Sequence, residues 1–339
     1  MLDASLWLLV LVVVLAIGFG FTNGRNDAAN TIATVIGTRV LSPRSAVILA
    51  SLFNFAGAAT GLEVARTLGK GILVPEAISY LTVIAALASV ITWTSLATHY
   101  GLPVSLTHGF IAGLAAAGMA TVGSGAVVWN VMGRVLSAVV SAPVLGFIGG
   151  FALMVCLFWV FRRSVPEKIR GTFSNLQILS SAFVAYSHGK NDGQMPIGVI
   201  TMALVIFYND ASLWERLSLF NPETWWIITI SALAISSGMA IGGWRVIRTL
   251  GMRVTTLRPI HGFAAQTSAA AVIEAASHFG IPVSTTHCIS SSIMGVGATK
   301  RLSAVRWGIA GNIITAWIIT FPICGGLGYL FAWLLGAIF

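Results

Sequence analysis

Gly280-Ile281-Pro282-Val283-Ser284-Thr285-Thr286-His287 is a polar step between two hydrophobic segments, and it has a counterpart in Gly101-Leu102-Pro103-Val104-Ser105-Leu106-Thr107-His108. A proline followed by clustered hydroxyls ends one helix and starts another. Such a start exposes unpaired backbone N–H groups at the positive end of a helix dipole, and the hydroxyls add further donors, so an anion can be held there. An isolated Pro-x-Ser more often does no more than cap a buried helix. Its repetition in a hydrophobic chain favours the anion reading.

The surroundings fix the class of protein. Of 339 residues, 57% are hydrophobic and 9% charged, and the mean hydropathy is +0.90, whereas soluble chains carry roughly 25% charged residues. Apolar runs long enough to cross about 30 Å of hydrocarbon cover most of the chain, and backbone groups in lipid must be satisfied within the segment. The expected fold is an all-α integral membrane protein, multi-pass and in contact with membrane lipid. The net charge of +9 comes from 19 basic residues against 10 acidic ones. They lie mainly in short loops, where they act as topology signals and give no reason to expect a nucleic-acid partner. Cys156, Cys288 and Cys324 stand apart in apolar sequence, as packing residues do. The N-terminal run lacks a basic leader before residues 6–21, which are therefore expected to stay as a helix.

From the quoted stretches outward, the chain divides in two. Residues 22–30 turn polar at Thr22-Asn23-Gly24-Arg25-Asn26-Asp27-Ala28-Ala29-Asn30 and are expected to interrupt the first helix. Spans follow over 46–62 and 77–97, then the first hairpin over 101–121, then a long segment 129–161 containing Pro143 that reads as one kinked helix or two short ones. The run Arg162-Arg163-Ser164-Val165-Pro166-Glu167-Lys168-Ile169-Arg170 is the most charged in the chain and, by its basic excess, cytoplasmic. Beyond it a second interruption, Ser187-His188-Gly189-Lys190-Asn191-Asp192-Gly193-Gln194, repeats the first. Gly24 and Gly189 lie 165 positions apart and Gly101 and Gly280 lie 179 apart, a difference that one insertion at the 208–223 loop accounts for. Two motifs in the same order at near-equal spacing indicate duplication: a first transmembrane repeat over 1–161, a basic cytoplasmic linker over 162–172 and a second repeat over 173–339. Broken helices and re-entrant hairpins in repeated halves are the architecture of many secondary transporters. Counting spans alone does not decide whether the repeats are inverted.

Asp27 and Asp192 are acids inside membrane-embedded sequence, where a charge costs about 2.5–3.5 kcal/mol on insertion scales. Each follows an asparagine, Asn26 or Asn191, and Asn30 lies one helical turn beyond Asp27. Carboxylate, amide oxygen and unwound carbonyls suit a small hard cation such as Na⁺, and the carboxylate alone can carry a proton. The simpler alternative is ion pairing with Arg25 and Lys190. His108 and His287 close the two hydroxyl steps at equivalent positions and are expected to support the hairpin tips. His188 stands four residues before Asp192, on the same helical face.

With both Asn-Asp steps, both hydroxyl hairpins and Gly262-Phe263-Ala264-Ala265-Gln266 in view, the chain resembles the inorganic phosphate transporter (PiT) family of phosphate permeases over nearly its full length. The resemblance implies two inverted repeats and an ion-coupled symporter of inorganic phosphate in the plasma (inner) membrane. Carried over residue by residue, it implies phosphate ligands at Ser105, Thr107, Ser284, Thr285 and Thr286, and Na⁺ or H⁺ sites at Asn26, Asp27, Asn191 and Asp192, with Gln266 in support. No cofactor beyond the coupling ion is expected, and a second copy of the chain is a candidate partner. Leu106 stands where the second hairpin has Thr285, and Asn54 where the family is expected to carry an acid. A sulfate permease using the same donors is the alternative. An anion channel would need a ring of basic residues that the sequence lacks, and duplicated Ser, His and Asp fit symmetric binding better than one-sided catalysis, so no enzyme is expected.

Overall fold

A computed structural model describes residues 2–338; Met1 and Phe339, the outer ends of the two repeats as delimited above, lie outside the described residues. The same order of elements occurs twice. In the first half a long helix α1 (Leu2–Gly37) is followed by a bent pair, α2 (Pro43–Ala58) and α3 (Glu63–Lys70), then α4 (Tyr80–Tyr100), the short α5 (Leu106–Val122) and the long α6 (Trp129–Phe161). In the second half α7 (Pro166–Asp192) and α8 (Gln194–Tyr208) stand in the place of α1, and a single turn, α9 (Leu213–Arg216), occupies the extra loop. A second bent pair, α10 (Trp225–Ile241) with α11 (Trp244–Arg248), then leads to α12 (Pro259–His278), α13 (Thr285–Ala298) and α14 (Trp307–Ile338). Both long closing helices keep a proline inside, Pro143 in α6 and Pro322 in α14, so residues 129–161 are one helix. Among the described residues four helices are long and apolar enough to cross a membrane, or up to six if each bent pair, turning by 68° and 62°, is one span.

The expected interruption of the first helix is not there, because α1 runs unbroken through Gly37. Asn23, Asn26, Asp27, Asn30 and Thr34 recur at three- and four-residue steps, so an intact helix places them on one face, and all five are buried. In α7 the same spacing gathers Gln177, Ser180, Ser181, Ser187, His188, Asn191 and Asp192. There the helix is divided from α8 by Gly193 alone, which itself has helical backbone angles. The breaks fall instead between α2 and α3 and between α10 and α11. Of the segment 162–172, residues 162–165 form the turn and Pro166 opens α7, so most of it is helix.

The halves are interlocked. Helix α1 crosses α10 and α7 crosses α2, while α5 packs most heavily on α14 and α13 on α6, each short helix against the closing helix of the other half. Small residues make the crossings possible. A Cβ on Gly24 would lie 1.9 Å from the Ile235 carbonyl oxygen, and one on Gly238 would lie 2.0 Å from that of Phe21. The α2–α7 crossing has the same form at Gly57 and Gly189. Along α1, one apolar cluster ends at Phe19 and the other begins at Ala28, and the buried Asn23, Asn26 and Asp27 fall in the interval between them.

The extra loop is held by charge. Arg216 bridges Asp210 and Glu223, and the Ser212 hydroxyl, followed by the Ser212 N–H and Arg216, holds the Asp210 carboxyl below its ordinary range. A depressed carboxyl stabilises the loop above its unfolded pKa and loses that contribution as pH falls through the folded value. The protection factor of the Ser212 amide, its exchange rate relative to the unstructured peptide at the same pH, is therefore expected to fall once the pH drops below the ordinary aspartate range, and to be flat from neutral pH down to it.

Candidate functional site

Both hairpins turn in the same way. Gly101 and Gly280, with φ of +74° and +65°, close the helices before them in the left-handed region that glycine adopts without steric cost. The chain then extends through proline to a serine that starts the next helix: Ser105 Oγ accepts from the His108 N–H at 3.2 Å, and Ser284 Oγ from the His287 N–H at 3.1 Å. Ser105 and Ser284 thus are caps. Capping uses one lone pair and one N–H, and leaves the hydroxyl hydrogen and the other first-turn N–H groups available to donate elsewhere. The two tips meet. Thr286 Oγ1 donates to the Val104 carbonyl at 3.2 Å and Thr107 Oγ1 to the Val283 carbonyl at 3.5 Å.

Against these tips lie the carboxylates. Thr286 Oγ1 is 3.1 Å from Asp27 Oδ1, and Thr285 Oγ1 is 3.4 Å from Asp27 Oδ2 and 3.2 Å from Asp192 Oδ2. Asn30 Nδ2 donates to both hydroxyls, at 2.9 Å to Thr286 and 3.3 Å to Thr285. Each threonine has one hydrogen and two acceptors in reach, so its hydroxyl can serve only one of them at a time. Asn191 fixes the second tip by donating to the Val283 carbonyl at 2.8 Å. Asn26 Nδ2 donates to Thr98 Oγ1 at 2.7 Å, the position equivalent to Ser277 beside Asn191, and to the Leu102 carbonyl of the first hairpin at 3.4 Å. The amide oxygens Asn26 Oδ1 and Asn30 Oδ1 are buried without a hydrogen-bond partner among the described residues. Buried acceptors next to two carboxylates offer what a hard cation seeks.

His188 is more central than its position in the sequence implies, and the cations beside the two aspartates lie elsewhere. His188 Nε2 lies 3.5 Å from Asp27 Oδ2 and 3.4 Å from Asp192 Oδ2, and Asp27, His188 and Asp192 form a buried set whose ligand atoms lie within 4.8 Å of one another. Four-residue spacing to Asp192 was the available signal. Lys190 pairs with Glu274 on α12, and Arg25 is exposed with no carboxylate partner among the described residues. The alternative of pairing Asp27 and Asp192 with these two cations is therefore overturned; Glu274, on the arm of the second hairpin, went unnoticed. His108 and His287 stand edge to face with ring centroids 4.8 Å apart. Phe321 stacks on the first and Trp317 on the second. Gln266 accepts from Ser180 Oγ at 2.8 Å and donates to the Thr31 carbonyl at 3.3 Å, tying α12 to α7 and α1. Leu106 is buried in the first apolar cluster, and Asn54 donates to Met239 Sδ at 3.4 Å.

The chain as a whole has relatives among known proteins. The chain is 43% identical over 324 residues to the "Probable low-affinity inorganic phosphate transporter" of Rhizobium meliloti, covering 95% of each chain. It is 37% identical to the protein of the same description in Bacillus subtilis, covering all of both. Among solved structures, "The sodium-dependent phosphate transporter" superposes with a TM-score of 0.88 at 25% identity, over 98% of this chain and 100% of that one. With several helices long and apolar enough to cross a membrane, the molecule is a multi-pass protein of the plasma membrane. Residues 23–328 match the family described as "Phosphate transporter family", and with that match the chain belongs to the phosphate transporter family.

Proposed function

We propose that this protein is a secondary symporter that couples inward movement of inorganic phosphate to Na⁺ or H⁺. The observation that carries the reading is the sharing of Thr285 and Thr286 between the hairpin tip and the carboxylates of Asp27 and Asp192. Hydroxyls and first-turn N–H groups of Ser105, Thr107, Ser284, Thr285 and Thr286 supply donors to a tetrahedral oxyanion. Placed there, the anion stands beside two carboxylates. Two like charges 4 Å apart repel by about 4 kcal/mol at an effective dielectric near 20. Phosphate affinity is then high only when a cation or proton occupies the oxygens of Asn26, Asp27, Asn30, Asn191 and Asp192, which is a coupling free energy between two sites.

The repeats are read as inverted, with 1–161 and 173–339 as the two units and the basic segment 162–172 between them. Support comes from the hairpin roots. Tyr80, at the start of α4, donates to the Ala203 carbonyl near the end of α8. Pro259, at the start of α12, shares a cavity with Arg162 and Arg170 at the opposite end. Hairpins entering from opposite ends give each face of the membrane an equivalent route to one site.

Purified protein in liposomes is expected to accumulate labelled phosphate against its gradient when a Na⁺ or pH gradient is imposed, with arsenate competing and sulfate not. Accumulation of sulfate in preference to phosphate would overturn the substrate assignment. Thr286→Val is expected to weaken phosphate affinity about tenfold or more, since a buried site deprived of one donor loses about 1–3 kcal/mol. Unchanged affinity in that variant returns the hydroxyl to helix capping alone.

A further inference from the structure

Away from the carboxylates, the end of α6, the start of α7 and the start of α12 enclose a cavity of about 670 Å³. Its lining is of two kinds. Leu157, Phe158, Phe161 and Ile260 supply apolar surface and Arg162, Arg170 and Arg258 supply positive charge, with Glu167 the single carboxylate. Lys300 adds a fourth cation close by: its ammonium is held below the ordinary range, first by burial and then by the neighbouring charge of Arg258. None of these four cations is ion-paired among the described residues.

A buried donor faces the same space. His261, 3% exposed, lines the cavity, and its Nδ1 accepts from the Arg258 N–H at 3.0 Å. That bond assigns the ring hydrogen to Nε2, which has no protein acceptor among the described residues and stands as a donor. The depth is marked by Trp159, 64% exposed at the end of α6, with the Arg162 guanidinium 5.1 Å above its ring. Exposed tryptophan with arginine sits at headgroup level in a bilayer.

We propose that this cavity seats an anionic phospholipid, its phosphate held by Arg162, Arg170, Arg258 and the His261 Nε2–H, its acyl chains laid along Phe158, Phe161 and Ile260. The apolar lining decides for a lipid over free phosphate. An inorganic ion would satisfy the cations and leave the aromatic lining facing water, whereas an amphiphile covers both. The excess of cations over one carboxylate decides for an anionic headgroup over a zwitterionic one. Seated there, the lipid joins the closing helix of the first half to α7 and α12, the helices that carry Asp192 and the arm of the second hairpin.

Native mass spectrometry of the full chain, released from detergent with phosphatidylglycerol or phosphatidylcholine added, tests the assignment. Phosphatidylglycerol is expected to stay bound, and 10 mM-scale inorganic phosphate is not expected to displace it. Because each basic side chain near an anionic headgroup is worth about a factor of five, Arg162→Gln should weaken retention about fivefold and the combined Arg162→Gln, Arg170→Gln, Arg258→Gln variant about a hundredfold. The melting temperature of wild type, and not of the combined variant, should rise with phosphatidylglycerol; in phosphatidylcholine alone both should melt alike and transport phosphate alike, showing that the variant folds. Equal retention of the two lipids, or full retention by the combined variant, overturns the proposal. Displacement by inorganic phosphate overturns the lipid assignment and makes the cavity a site for the free ion.

Discussion

Asp27→Asn is expected to lower gradient-driven phosphate uptake at least about a hundredfold while leaving the protein folded in the membrane. The side chain keeps its shape and the amide can still accept from Thr286. What disappears is the negative charge that, in the proposed mechanism, a coupling cation neutralises. Removing one partner from a buried charged cluster costs about 3–5 kcal/mol, which corresponds to about two to three and a half powers of ten in affinity. Uptake of labelled phosphate into liposomes under imposed Na⁺ and pH gradients is the measurement, with passive phosphate binding followed alongside. Ion dependence identical to wild type would remove Asp27 from the coupling site. Abolished binding together with a lowered melting temperature would mean that the carboxylate holds the fold and not the ion.

Gly24→Ala is expected to cost about 3 kcal/mol or more of stability and to abolish transport. The added carbon would sit 1.9 Å from a carbonyl oxygen and 2.9 Å from the Met239 backbone nitrogen, and backbone atoms cannot rotate out of the way as a side chain can. Overpacking of this kind is relieved only by moving α1 off α10. Asp27, less than one turn further along α1, would move with it. Gly311→Ala and Gly326→Ala supply the contrast, because a Cβ at either has nothing within 4 Å; both are expected to melt within about 1 kcal/mol of wild type. Thermal unfolding in detergent separates the two classes. A Gly24→Ala protein as stable as Gly311→Ala would mean that the crossing is looser than drawn.

Much of this was legible in the amino-acid order because lipid leaves a backbone few options. Hydropathy alone demanded helices, and the two Pro-Val-Ser steps marked helix starts that Ser105 and Ser284 cap. Residues 22–30 differ from the expectation for a physical reason. Polarity predicts a break, but Asn23, Asn26, Asp27 and Asn30 share the helical period and need only a buried face to point at. His188 was visible as a neighbour of Asp192 within its own helix; its contact with Asp27, on another helix, requires the crossing of the two halves. The pairing of Lys190 with Glu274 joins α7 to α12 and had no local signature. Periodicity reports which residues share a face, and only packing reports what that face meets.

The exchange of short helices between the halves bears on how the chain is made. Synthesis delivers α5 long before α14, the helix against which it lies most extensively. A nascent chain extended through α6 therefore holds a re-entrant hairpin without its cover, its polar tip at membrane depth and the Asn191 and Asp192 side of the cluster still to come. α13, by contrast, finds α6 already in place. The first half must wait in the insertion machinery or among lipids until the last helix arrives, and an arrest or truncation before Trp307 leaves α5 exposed whatever the quality of the preceding sequence.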